Sequence, residues 1–325
     1  MTELEDHGLP LTALAVAAGR AVETSRPDQL IADPFAAALV EAAHSHVDLP
    51  TAWPASPEDA PPFQQPLLLA SIYLGMRTRF IDDFLTAGPQ TAQTVILGAG
   101  LDTRAYRLPW PDGARVIEID HANVLAFKAS VMTGLSAAPA CELITVATDL
   151  SRPWREPLLA AGFDPKQPTT WVLEGLLPYL DAAAQLAVLE EMAALSASGS
   201  RVVIERAVAL PKTDDQEAKL RDFSLQTGLS MSELLARADP PDPVALLESA
   251  GLTPRKPPRP DRSRRAIPAR PASRAAASSP LGVREPVASG RVCEGGSDRP
   301  CLGPNKSGNL SEGHRQPAPR SFPTP

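Results

Sequence analysis

Five short apolar runs, separated by stretches with helical spacing, constrain this chain more than any other feature. They are TVILG (94–98), ARVIEID (114–120), CELITVATDL (141–150), TTWVLEG (169–175) and RVVIER (201–206). Strands that are apolar almost throughout, not at alternate positions, are buried on both faces, and helical crossovers between them are what a parallel sheet requires. The pattern predicts an α/β fold with a doubly wound, mostly parallel sheet. Two of the crossover helices are expected at Asn123 to Gly134 and at Asp181 to Ser196. In the second, Leu186, Leu189, Met192 and Leu195 form the buried stripe, and Gly199 follows its exit.

Ahead of the first run the sequence is helical. Residues 11–43 are alanine-rich, with Leu11, Leu14, Ala18 and Val22 at helical spacing. Asp33-Pro34-Phe35 reads as a helix N-cap with proline at the first helical position. Residues 47–66 are proline-rich loop. Residues 67–88 form a stronger helix, in which Ile72, Met76, Phe80 and Phe84 recur every fourth residue and Gly88-Pro89 is the stop.

The chemistry concentrates in VILGAGLDTRAYRLPWPDGARVIEID, residues 95–120. A doubly wound sheet binds ligands beyond the carboxyl ends of its strands, next to the first one. Gly98 and Gly100 therefore face the ligand, where the lack of a side chain lets the backbone approach closely. Asp120 ends the next strand and is placed to accept the hydroxyl hydrogens of a ribose. A dinucleotide site wants a third glycine three residues after Gly100; Thr103 stands there, with Asp102 before it. An acid at that helix start repels a diphosphate and suits a cationic ligand such as S-adenosylmethionine. Asp149 and the Leu150 N–H are placed for an adenine, and Glu174 for the ammonium of an amino acid. Bland roles stay open for each: Asp102 and Asp120 as helix caps, Glu174 in a structural ion pair, Arg77 paired with Asp82 or Asp83. Arg104 and Arg107 read as surface charges or as partners of Asp102.

The segments LGAGLDTRAYRLPWP, EIDHANVLAFK, ATDL and WVLEGLLPYL, with RAVETSRPDQLIADPFA and MRTRFIDDFL nearer the N-terminus, resemble the leucine carboxyl methyltransferase family. The likeness is greatest to its bacterial branch of provisionally named S-adenosylmethionine-dependent methyltransferases and covers about residues 10–252. It implies S-adenosyl-L-methionine as cofactor, bound by Arg77, Gly98, Gly100, Asp120, Asp149, Leu150 and Glu174, with Arg77 at the methionine carboxylate. Arg20 is a looser candidate for the same job, and Tyr179 an aromatic nearby. It also implies O-methylation of a carboxylate or hydroxyl on a small-molecule or peptide-carboxylate acceptor. Arg79, Arg104 and Tyr179 are the candidates for orienting that acceptor. No Ser/His/Asp or Cys/His set is evident, as expected if the acceptor is already ionised. An NAD(P)-dependent oxidoreductase is disfavoured by the missing third glycine.

The resemblance stops after Leu252. Of the 36 prolines, 14 lie in residues 254–325, with 12 arginines, 9 serines and a single aromatic, Phe322. That segment holds 14 Lys/Arg against 5 Asp/Glu, so the acidic charge belongs to the rest of the chain. Such a composition cannot bury enough apolar surface to order itself. The expected organisation is a methyltransferase domain at 1–253: a helical cap (1–90), a cofactor-binding core (91–206) and a substrate cover (207–253). A disordered basic tail follows at 254–325, read as a frameshift or diverged terminus near residue 253. The usual last two strands would then be missing, and a catalytically impaired remnant is the alternative reading. An acidic body does not seek nucleic acid, the histidines and cysteines show no metal-ligand spacing, and no run reaches the length of a membrane span. A cytoplasmic enzyme is expected, with no nucleic-acid, membrane or metal partner.

Overall fold

The computed structural model describes residues 9–205 and the helix at 243–249, apart from 46, 57–59, 62–63 and 88–89. The five apolar runs form β1 (Gln93–Leu97), β2 (Arg115–Asp120), β3 (Glu142–Ala147), β4 (Thr169–Leu173) and β5 (Arg201–Ile204). Every pairing is parallel and the order is β3-β2-β1-β4-β5. The chain begins in the middle of the sheet, steps outward to β3, then crosses back to place β4 on the far side of β1. That reversal creates the switch point beyond which open α/β sheets hold ligands.

Register decides what meets there. Leu97 is level with Ile119 on one side and Leu173 on the other. Gly98, Asp120 and Glu174, the next residue in each case, therefore leave the sheet at one edge. Asp120 is itself level with Ala147, the last residue of β3, so Asp149 lies two residues beyond the strand rather than at its end.

Alternation along each strand sorts the core into two layers. Val95, Leu97, Ile117, Ile119, Trp171 and Leu173 face α6 (Arg155–Ala160), α7 (Ala182–Ala194) and α8 (Pro243–Ser249). Ile96, Val116 and Val172 face α1 (Leu11–Thr24), α2 (Ala36–Ala42), α3 (Gln65–Ala87) and α5 (Ala122–Gly134). β1 and β4 are buried at every position, whereas β3, at the edge, is mostly open.

Three local expectations are corrected. The four-residue repeat of α3 is not its buried stripe: Leu68, Ser71, Leu74, Thr78, Ile81, Asp82 and Leu85 are buried and Met76 is exposed. A strict four-residue spacing drifts about 40° per step around a helix of 3.6 residues per turn, so it cannot stay on one face. In α7, Asp181 caps the helix by accepting the Ala184 N–H at 2.8 Å, but Leu186 is exposed and Gln185 and Val188 are buried instead. Asp33 does not cap α2, which starts at Ala36 after Phe35; its carboxylate is buried against Arg20. After Gly100 the helix is a single turn, α4 (Arg104–Arg107). The stop at Gly88-Pro89, the cover at 207–253 apart from the helix at 243–249, and the tail at 254–325 lie outside the described residues. Among the described residues β5 pairs with β4 alone.

Candidate functional site

The loop after β1 is built on two left-handed glycines, Gly98 at φ +65° and Gly100 at φ +49°. A side chain at either is strained by the backbone alone, and a Cβ on Gly98 would also come within 3.0 Å of Leu176 Cδ1. The turn aims the Gly100 N–H at Asp120 Oδ2, 2.6 Å away, while Asp120 Oδ1 accepts the His121 N–H at 2.7 Å. Asp120 is half-buried. Its two oxygens are fixed by neutral backbone donors, and each keeps lone-pair capacity for another hydrogen bond.

Toward β4 the site is a buried ionic lattice. Asp82, on the buried face of α3, accepts Arg104 Nε at 2.7 Å and both terminal nitrogens of Arg107 at 2.6 and 2.9 Å. Arg104 Nη1 reaches Asp102 Oδ2 and, at 2.6 Å, Glu174 Oε2. Glu174 Oε1 accepts Arg77 Nε at 2.8 Å, and Arg77 Nη1 lies 3.8 Å from Glu205 Oε2. Tyr73 donates to Glu205 Oε1 at 2.8 Å and lies under the Arg77 guanidinium.

Burial would raise the Asp102 carboxyl, but Arg104 and then Lys128 outweigh it and hold it at about 2. For Glu174, burial is again opposed by Arg104 and Arg77, which keep it below the ordinary carboxylate range. Burial and the Glu205 charge push the Tyr73 hydroxyl up to about 12. These acids stay ionised because arginines face them, as charge pairing in a dry environment requires.

The loop is also clamped from two sides. Arg20, on α1, donates to the Leu101 carbonyl at 2.6 Å and to Asp33 at 2.8 Å, and Asp33 accepts the Thr103 hydroxyl at 2.8 Å. Lys128, on α5, donates to the Asp102 carbonyl at 3.0 Å and lies 2.7 Å from Glu118 Oε2. Both members of that last pair are buried; desolvation outweighs Lys128 and raises the Glu118 carboxyl.

Several anticipated residues occupy other surroundings than expected. Asp102 does not present a free carboxylate to a ligand: Oδ1 accepts the Arg104 N–H at 2.6 Å and Oδ2 its guanidinium, while the N-cap of α4 is Thr103. Arg104 and Arg107 are not surface charges but are 2 % exposed. Arg77 pairs with Glu174 rather than with Asp82 or Asp83. Arg79, two residues on, is buried with Nε on Asp83 at 3.0 Å and Nη1 on the Leu30 carbonyl at 3.2 Å. Tyr179 is exposed on the 3-10 turn Leu177–Tyr179. Beyond β3, Leu150 is buried, and Asp149 Oδ1 accepts the Ser151 N–H and hydroxyl at 2.8 and 2.7 Å, which lowers its carboxyl. The sequence offers Asp82 only as a partner for Arg77 and does not reveal it as the hub that joins Arg104 and Arg107. The 3.6-residue phase of α3, which puts Asp82 in line with Thr78 and Leu85, carried the signal.

With this geometry in place, the family model described as leucine carboxyl methyltransferase matches residues 13–193. A protein of Saccharopolyspora erythraea, provisionally named an S-adenosyl-L-methionine-dependent methyltransferase, is 40% identical over 248 residues, 75% of this chain and 83% of that protein. Another with the same name, from Mycobacteroides abscessus, is 49% identical over 199 residues, 60% of this chain and 62% of that protein. A crystal structure from Thermobifida fusca, provisionally titled a methyltransferase, shares 17% identity at a TM-score of 0.40, covering 70% of this chain and 76% of that one. That last likeness is too weak to carry the fold, which rests on the strand order.

Proposed function

The chain belongs to the leucine carboxyl methyltransferase family, and we propose that this S-adenosyl-L-methionine-dependent methyltransferase delivers its methyl group to an acceptor oxygen, a carboxylate before a hydroxyl. When bound, the cofactor would supply an electrophilic methyl carbon for transfer to the acceptor oxygen, with S-adenosylhomocysteine as the other product.

The residues present fit an adenosyl amino acid. The observation that carries this reading is Asp120: both its oxygens are oriented by N–H groups, at the level of two left-handed glycines on the switch-point edge. A Cβ on Gly100 would meet nothing nearer than Ala13 Cβ at 3.9 Å, so backbone there borders space that a side chain would occupy. In this reading Gly98 and Gly100 let the ligand approach, Asp120 accepts the ribose hydroxyls, and Asp149 with the Leu150 N–H lies on the adenine side. Glu174 and Arg77 act as a pair that meets the amino-acid end, each able to exchange part of its bond to the other for one to the ligand. Asp102, held ionised by Arg104 and Lys128, braces the loop through its pair with Arg104.

No general base is needed for a carboxylate acceptor, which is ionised near neutral pH. The chain's task is then to align the acceptor, strip its water and hold it near the methyl donor. Arg104 is the acceptor-orienting candidate favoured by position; Arg79 is committed to Asp83 and the Leu30 carbonyl. We further assign 1–90 to the helical cap, 91–206 to the cofactor core, 207–253 to the acceptor cover and 254–325 to a separate tail. Limited proteolysis that spares a fragment ending near 253 supports that division, and cleavage first within 91–206 opposes it.

Calorimetry with S-adenosylhomocysteine tests the site. Asp120→Ala is expected to weaken binding by about 1–3 kcal/mol, the usual loss when a hydrogen-bonded pair is left unmatched. Unchanged affinity removes the ribose assignment. The acceptor class is read from the product: a carboxylate ester releases its methyl group in mild base, whereas a base-stable product excludes the carboxylate.

A further inference from the structure

The glycine turn after β1 has little in its own sequence to hold it in one shape. Glycine enters left-handed and right-handed backbone with similar ease, so the observed turn is selected by groups outside it. Two peptide groups at its exit are held by buried cations. The Leu101–Asp102 peptide gives its carbonyl to Arg20 at 2.6 Å and its N–H to the Ala99 carbonyl at 2.9 Å, which closes the turn. The next peptide, Asp102–Thr103, gives its carbonyl to Lys128 Nζ at 3.0 Å. Because each peptide is planar, a hold on one carbonyl also fixes the N–H that follows it. Upstream, the Ala99 N–H donates to the Ile119 carbonyl at 3.0 Å and the Gly100 N–H to the Asp120 carboxylate at 2.6 Å.

The two cations are anchored differently. Asp33, the partner of Arg20, also accepts the Thr103 hydroxyl and the Phe35 N–H, at 2.8 and 3.2 Å. Glu118, on β2, has Lys128 at 2.7 Å from Oε2, while its Oε1 has no hydrogen-bond partner among the described residues. Glu118 is 0 % and Lys128 2 % exposed. They lie between β2 and α5, elements that contribute Val116, Val124 and Phe127 to the apolar layer.

As a fold-stabilising feature this pair is poor. Burial outweighs the ammonium and raises the Glu118 carboxyl, and an apolar pair of similar volume would serve folding as well or better. What an apolar pair could not supply is the hydrogen bond from Lys128 to the turn.

We propose that Glu118 and Lys128 are positioning residues for the cofactor: Glu118 holds Lys128 in place, Lys128 holds the Asp102 carbonyl, and the turn so fixed presents Gly100 and Asp120 to the ribose. Both are too deeply buried to touch a ligand themselves. The inference rests on the adenosyl-binding reading of Asp120 and adds the groups that set it.

Glu118→Leu combined with Lys128→Met removes both charges together, so neither is left stranded in the core. The double variant should keep its Tm within a few degrees. Its calorimetric Kd for S-adenosylhomocysteine should nevertheless rise about tenfold, the usual loss of a hydrogen bond from a charged donor. Glu118→Gln, with Lys128 intact, keeps an acceptor for the ammonium and should recover most of that affinity. In an Asp120→Ala background the double change should cost less than it does alone, since both act through one group. The Gly100 amide proton, drawn downfield by its short bond to a carboxylate, should move upfield in the double variant with no ligand present.

Unchanged affinity in the double variant overturns the proposal, as does full additivity with Asp120→Ala or an unmoved Gly100 amide. Loss of the folded state also overturns it, since the pair then serves the fold itself. So does a loss in Glu118→Gln equal to that of the double variant, because the carboxylate charge and not the hold on the turn is then what matters. Failure of the unaltered chain to bind S-adenosylhomocysteine strikes the adenosyl reading instead, while the Gly100 amide still reports whether the pair sets the turn.

Discussion

Toward β4, Asp82 and Asp102 lie buried and Glu174 half-buried, and guanidinium groups meet both oxygens of Asp82 and Glu174. Toward β2 and β3, Asp120 and Asp149 are more open and are oriented mainly by backbone N–H groups and the Ser151 hydroxyl. The residue types are the same on both sides. The partners differ, and so does what the acids can do. A carboxylate surrounded by arginines has its hydrogen bonds filled by the protein and shapes the floor of the site. One held by neutral donors, with water on its other side, keeps acceptor capacity for a ligand. In the proposed reading, recognition of the adenosyl half falls to the open side, while the ionic side sets the shape and potential in which the amino-acid half and the acceptor would lie.

The strongest way to break this contrast is Asp82→Ala. Removing one partner from a buried ion pair leaves uncompensated charge, so a loss of about 3–5 kcal/mol in unfolding free energy is expected from denaturant titration. A loss below about 1 kcal/mol would mean that Arg104 and Arg107 find other acceptors and that the lattice is not structural.

Acid comes next. Asp102 titrates at about 2 in the folded chain against an ordinary 3.8. Between those values the unfolded chain binds more protons, so this contribution is complete above about pH 4 and fades as pH falls toward 2. The change is about 2 kcal/mol by linkage. Unfolding curves recorded from pH 5 to pH 2 should show this slope in the parent and a shallower one in Asp102→Asn. Identical slopes would move the acid sensitivity to another carboxylate.

The smallest effect is expected on the open side. The Asp149 side chain is 37% accessible and bonded to its own loop, so Asp149→Ala should change stability by no more than about 0.5 kcal/mol, as surface substitutions do. Its effect on S-adenosylhomocysteine affinity should stay within about 1 kcal/mol, since it would contribute one hydrogen bond in contact with water. A larger loss of affinity would show that ligand binding buries the third strand end as deeply as the fourth.

Much of the fold is legible in the chain because the signals are local. Apolar runs such as TVILG and TTWVL can be satisfied only by burial on both faces, and the helices between them make the connections parallel. The glycines at 98 and 100 and the acid at 120 are similarly readable, since strand length and one crossover determine their separation. The phase of α3 was harder. Its sequence offers apolar residues around most of its circumference, and the every-fourth pattern of Ile72, Met76, Phe80 and Phe84 misidentified the buried side. For Arg104 and Arg107 the sequence offers either a surface position or a partnership with Asp102, and Arg104 takes the second; a sequence records that a charge is present, not how many counterions lie close to it.

Local composition by itself determined that this chain forms a parallel sheet and that a glycine turn faces an acid across its middle, because both depend on neighbours within one strand–helix–strand unit. Which acids remain open to a ligand was decided only in three dimensions. Asp82 and Arg104, 22 residues apart in sequence, meet at 2.7 Å, and Arg77 and Glu174, 97 residues apart, at 2.8 Å. Pairing energies fall off with distance in space, so the same carboxylate is structural or available according to which cations the fold carries to it.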